Sequence, residues 1–114
     1  MGVIDEVITV FKGMGYEVAD RPQEKPNPRQ VLVELDSMNL QVESQVSYRA
    51  TTTLSIFFMA SSATEVIEKT KKFMGAVEPA VHALSFKFNK PDFIIEGRVY
   101  YVALPCEYVE VIQV

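Results

Sequence analysis

The sequence holds one cysteine, Cys106, one histidine, His82, and no tryptophan. A lone cysteine forms no internal disulfide and fits a reducing compartment. One His, one Cys and scattered carboxylates do not make a zinc site, and they give a nucleophile no adjacent base. Basic residues are also short, eleven Lys plus Arg against fifteen Asp plus Glu, for a net charge of −4. Counterion displacement from a duplex needs a basic excess, so no sequence-specific nucleic acid is expected as partner. No apolar run approaches the ~18–20 residues of a membrane span, so no membrane partner is expected. The opening Met1-Gly2-Val3-Ile4-Asp5-Glu6 carries acids where a signal peptide carries bases, and Asp5 or Glu6 where a myristoylation signal wants Ser or Thr. These features point to the cytoplasm. Gly13-Met14-Gly15 lacks a third glycine and follows a helical pattern, so it reads as a helix stop and not a phosphate loop. The expectation is a non-enzyme without metal or cofactor.

What remains is a 114-residue chain that is 48% hydrophobic and 23% charged. That is one globular domain over residues 1–114. Ile4, Val7, Ile8 and Phe11 recur at helical spacing, with Asp5 and Glu6 in the first turn and Lys12 in the last. Residues 19–29 hold Pro22, Pro26 and Pro28 and read as an exposed loop. From Gln30 the period becomes two, and no Gly or Pro interrupts residues 31–59. One strand of that length is far beyond the usual 3–10 residues, so a turn is hidden there. Asp36-Ser37-Met38-Asn39 and Glu43-Ser44-Gln45 are the candidates, the second favoured as the tip of a long hairpin.

Ser62 with Glu65 has capping-box spacing and opens a second helix. Val66, Ile67, Phe73, Met74 and Val77 are its expected buried stripe, and Glu65–Lys69 and Glu68–Lys72 its exposed pairs. Pro79 ends or kinks it. Leu84, Phe86 and Phe88 then alternate on one face, Asn89-Lys90-Pro91-Asp92 turns, and Phe93–Leu104 reads as a strand with a bulge at Gly97. Pro105 marks a bend before a last strand, Glu107–Val114. The fold class is α+β, in the order α-β-β-α-β-β with one strand more allowed. A mostly antiparallel sheet is covered by two helices, and a long β-hairpin projects. His82 reads as a cation near a helix end, and Cys106 as a small half-buried residue. Phe86-Lys87-Phe88 interleaves aromatics with a base, but the core claims the rings. Lys69, Lys71 and Lys72 read as a solvated face. Apolar positions fall on both strand faces, as in Ile56-Phe57-Phe58-Met59 and Val99–Leu104. Two short helices cover one face only, so the other is expected to meet further copies of the chain.

This order of elements resembles the tail terminator family of long-tailed bacteriophages. The likeness runs from the first helix through Gln30–Leu35, the return strand Tyr48–Phe58 and the helix Ala63–Val77 to Tyr100-Tyr101-Val102 and Tyr108–Val111. It implies a structural virion-tail protein, assembled in the host cytoplasm. Such a protein forms a homo-oligomeric, hexameric ring on the tail tube protein, ends tube growth and offers a surface to the head-completion protein. The family brings no fixed motif residues. Position alone therefore nominates Met38, Asn39, Leu40, Gln41, Glu43, Gln45 and Ser47 for tube contact, and Arg49, Phe57, Tyr100 and Tyr101 for the subunit interface. Glu43, Glu96 and Glu110 are candidates for a pore wall. Related phage neck and tail-completion proteins share such folds. The alternative reading is a small ligand-binding or regulatory oligomeric module.

Overall fold

The computed structural model describes residues 2–19 and 25–113. Pro22 of the predicted loop and Val114 of the last predicted strand lie outside the described residues. The elements are α1 (Val3–Gly13), β1 (Glu17–Ala19), β2 (Gln30–Ser44), β3 (Ser47–Ala60), α2 (Ala63–Val77), a 3₁₀ turn (Glu78–Ala80), β4 (Leu84–Phe88), β5 (Asp92–Glu96) and β6 (Val99–Gln113). They build a single α+β unit with two helices and a six-stranded, mostly antiparallel open sheet. Across the sheet the order is β1-β2-β3-β6, and β4 and β5 lie end to end along the far side of β6. Among the described residues only β1–β2 is a parallel pair. The molecule is long and narrow, 53 × 24 × 22 Å.

Both helices pack on one face of the sheet. From α1 come the buried Val3, Val7 and Phe11, with Ile4 and Ile8 at the margin. Val7 and Phe11 are thus buried as expected, Ile4 and Ile8 are only partly buried, and Val3 joins the stripe. A Schellman closure ends the helix: Gly15 N–H bonds to Lys12 O at 3.0 Å and Tyr16 N–H to Phe11 O at 3.0 Å. Gly15 takes φ +89°, which an L side chain disfavours. In α2, Phe73 and Val77 are buried while Ile67 points outward, 57% exposed. Ile67 lies about 100° round the helix from Val66, just outside the stripe that ends on Phe73 and Val77. At the N-cap, Ser62 Oγ accepts from Glu65 N–H at 3.1 Å. The reciprocal arm of the predicted box is replaced, because Glu65 instead accepts the Ser61 hydroxyl at 2.7 Å and pairs with Lys69 at 3.1 Å. Among the described residues Glu68–Lys72 makes no ion pair. Lys69 also donates to Met59 O at 2.9 Å and, with Lys72, stands over the Tyr16 ring at about 6 Å, so this is not merely a solvated face.

Phe73 is the hub of the core. Its ring meets Phe11, Tyr16 and Phe58 edge-on, with centroids 5.0, 5.3 and 4.9 Å away. Beneath lie Val31 and Val33 of β2, Leu54, Ile56 and Phe58 of β3, and Val102, Leu104, Cys106 and Tyr108 of β6. Phe86 and Phe88 pack against this cluster as predicted, while the side chain of Leu84 lies outside the described residues.

The second half of the sheet corrects two expectations. Gly97 is not a bulge. With φ +63° it opens a two-residue turn, Gly97-Arg98, that pairs Glu96 with Val99. Pro105 does not bend the chain either, since β6 runs unbroken through it. Its carbonyl accepts from Asn89 N–H at 2.9 Å, so its nitrogen faces the same side, at the seam where β5 stops at Ala103 and β4 begins at Cys106. No ladder donor is needed at that seam.

Candidate functional site

The β2–β3 hairpin, with β6 beside it, extends well past the helices as a three-stranded blade. Its turn is Gln45-Val46, between Ser44 and Ser47, whose hydroxyls lie 2.9 Å apart. A bulge at Asp36 switches which residue numbers, odd or even, fall on each face. Leu35 pairs with Leu54, Asp36 is extra, and Ser37 pairs with Thr53. Before the bulge the odd residues Val31, Val33 and Leu35 face the helices. After it the even residues Met38, Leu40 and Val42 take over that face. Asp36 accepts a short hydrogen bond from Ser55, which fastens the extra residue to β3.

The blade is therefore two-sided. On the helix side, Met38, Leu40 and Val42 oppose Thr52, Ala50 and Tyr48, which oppose Tyr108, Glu110 and Ile112. On the other side lie Ser37, Asn39, Gln41 and Glu43, then Ser47, Arg49, Thr51 and Thr53, then Gln113, Val111, Val109 and Glu107 of β6, so this side is mostly polar with Val111 41% exposed. The helices end before the apolar side does. Met38 is 50% exposed, Leu40 58%, Val42 68%, Tyr48 37% and Ile112 45%. Together these five leave on the order of 400 Å² of apolar surface in water, comparable to the largest patch on a typical monomer.

The nominated residues divide accordingly. Met38 and Leu40 belong to the apolar side. Asn39, Gln41, Glu43 and Ser47 belong to the polar side, and Gln45 sits at the tip. Arg49 pairs with Glu43 at 2.6 Å on the polar side. Phe57 and Tyr101 lie elsewhere, half-buried on the helix-free face of the sheet body, while Tyr100 faces the other way beside Phe93 at 5.9 Å. The four interface candidates therefore form no single patch. The three pore candidates are also apart: Glu43 pairs with Arg49, Glu96 with Lys25, and Glu110 interrupts the apolar side. The position-based choice omits Val42, Tyr48 and Ile112, which share the side of Leu40, and Val46, which sits in the turn beyond a second register shift between Val42 and Ser44.

The chain itself partly roofs the helix-free face. Lys25 crosses to β5, pairs with Glu96 and stands 5.1 Å above the Tyr101 ring, and Pro26 beside it is buried. The predicted exposed loop is thus, at these two positions, a strap. Beneath it is a cavity of about 360 Å³.

His82 and Cys106 have structural surroundings. His82 is exposed. Its backbone N–H donates to Glu6 Oε2 at 3.1 Å, and Nδ1 lies 2.6 Å from the same oxygen, so the residue ties the segment after the 3₁₀ turn to α1. Cys106 is fully buried, not half-buried, and its Sγ lies 3.5 Å from Leu54 O. Burial, helped by the charge of Asp36, pushes its thiol up to about 12, which removes the thiolate a nucleophile needs. Tyr108 is raised chiefly by burial, opposed by the Thr52 hydroxyl and reinforced by Glu110 and Cys106. Thr52 is itself fully buried, with no hydrogen bond of ordinary geometry to its hydroxyl among the described residues. Among the described residues no three His, Cys, Asp or Glu converge as metal ligands, and no helix is long and apolar enough to cross a membrane. No protein-family model matches the chain, and no curated protein matches it.

Proposed function

We propose that this chain is a structural phage-tail subunit that assembles with copies of itself into a ring, caps the tail tube and presents a head-joining surface. The apolar side of the blade carries this reading. A folded chain that leaves Met38, Leu40, Val42, Tyr48 and Ile112 in water on one side, against a mostly polar side on which Val111 is the large exposed apolar residue, has a surface suited to a neighbouring subunit. The exposed patch is about half of the ~800 Å² per partner in a standard interface, so flanking strand surface must join it. In this assembly six copies form the ring. The polar side and tip of the hairpin, from Asn39 to Ser47, meet the tube protein, and the opposite end of the ring meets the head-completion protein. The work is mechanical: blocked strand and surface sites stop further polymerisation, with no bond made or broken.

Sedimentation velocity over a range of concentrations, alone and with the tube protein, tests the reading, with negative-stain microscopy of the product. Rings are expected from the unaltered chain. Leu40→Gln with Val42→Gln is expected to remain monomeric with an unchanged melting temperature. A chain that stays monomeric under every condition, or a double variant that assembles as before, overturns the proposal.

A further inference from the structure

The cavity under the strap lies on the opposite face from the apolar side of the blade, and its chemistry is different. Its volume, about 360 Å³, falls in the range of small-molecule sites. One cross-strand row explains it. Leu32, Phe57, Ala103 and Asp92 stand side by side on the helix-free face of β2, β3, β6 and β5. Ala103 contributes only a methyl group between larger neighbours, so the floor dips there. The Tyr101 ring, held under Lys25, closes one wall.

Charge then selects the occupant. Lys25 is engaged by Glu96, while Glu34 and Asp92 make no ion pair among the described residues. Among the described lining residues the one cation, Lys25, is already paired outside the floor, and two carboxylates, Glu34 and Asp92, border it. Asp92, the first residue of β5, is oriented by its own backbone, as Oδ1 accepts the Phe93 N–H at 2.9 Å and Oδ2 is left to meet a ligand. Asp92 lies three strand spacings from β2, roughly 14 Å, so an apolar body fits between the two ends of the row. We infer that this cavity binds a small organic amine, its apolar body on Phe57 and Ala103 and its ammonium group at the Asp92 or Glu34 rim. Anions of the same shape are repelled.

The absence of tryptophan makes the test direct. Tryptamine, excited beyond tyrosine absorption, is titrated with the full chain at low ionic strength and followed by anisotropy. 3-Methylindole and indole-3-propionate serve as neutral and anionic probes of like shape. Saturable binding of tryptamine at least about tenfold tighter than either is expected. Glu34→Gln with Asp92→Asn is expected to erase most of that preference without lowering the melting temperature, and added salt to weaken tryptamine alone. Ala103→Leu, which fills the floor, is expected to abolish binding of all three probes. Absence of saturable tryptamine binding, equal binding of the three probes, or a charge variant that keeps the preference overturns the inference. The charge variant lies at the rim and decides the matter even where Ala103→Leu does not fold.

Discussion

Phe73→Ala removes the ring on which α1, α2 and the sheet converge. The side chain is fully buried and makes three edge-to-face contacts, to Phe11, Tyr16 and Phe58. Truncating a buried Phe to Ala costs about 3–5 kcal/mol, the aromatic pairs adding ~0.5–1.5 kcal/mol each beyond area. A domain of this length has roughly 6–17 kcal/mol of total stability, so the variant is expected to lose at least about a fifth of it. Urea unfolding followed by far-ultraviolet circular dichroism measures this as a fall in midpoint with the slope preserved. Phe93→Ala is the control, since that ring is 52% exposed and sits on an outer strand. Its cost is expected below about 1 kcal/mol. If Phe73→Ala costs less than about 1.5 kcal/mol, or no more than Phe93→Ala, the claim that one aromatic hub fastens both helices to the sheet is wrong.

Other expectations follow from single features. Ser62→Ala removes the acceptor for Glu65 N–H and should cost about 1 kcal/mol by thermal unfolding. Gly97→Val forces a β-branched side chain to φ +63° and should cost about 1–2 kcal/mol while leaving β6 in place by hydrogen exchange. Cys106 should resist a thiol reagent in the native chain at mildly alkaline pH and react fully once urea unfolds it. Because its pKa, like that of Tyr108, is higher folded than unfolded, the associated stability is complete below the ordinary value and is lost as pH climbs through the folded one. For Cys106 that window runs from about 9 to about 12, and an alkaline series of urea midpoints should decline across it.

Helices, the long alternating strands and the helix-facing aromatic residues were legible in the sequence because period and composition agreed there. The hidden turn was located to within a residue or two but not seen directly, since Gln45-Val46 carries none of the usual turn chemistry. Gly97 and Pro105 were misread for a related reason: each is a local breaker whose effect depends on what lies alongside. Gly97 faces its own return strand, and Pro105 faces a gap between two others. β1 was missed because three residues carry no period, and its pairing with β2 is settled only in three dimensions. On the blade, Met38 and Leu40 were nominated by position. Their common side was not evident, because the extra residue at 36 shifts parity without leaving a glycine or proline as a mark. The proline pattern of residues 19–29 reads as an exposed loop, since nothing in Lys25 or Pro26 announces a contact with Glu96, 71 residues away.

The parity shift at Asp36 also separates two properties that strand pairing usually locks together. Were that codon deleted, Leu35 would still oppose Leu54 and Ser37 would still oppose Thr53, so the greasy and wet sides of the outer hairpin would remain as they are. The Ser55–Asp36 hydrogen bond would be lost, and the local bend and twist would relax. The angle at which the arm reaches out is thus adjustable by a single residue, without rewriting any side chain that a neighbour touches.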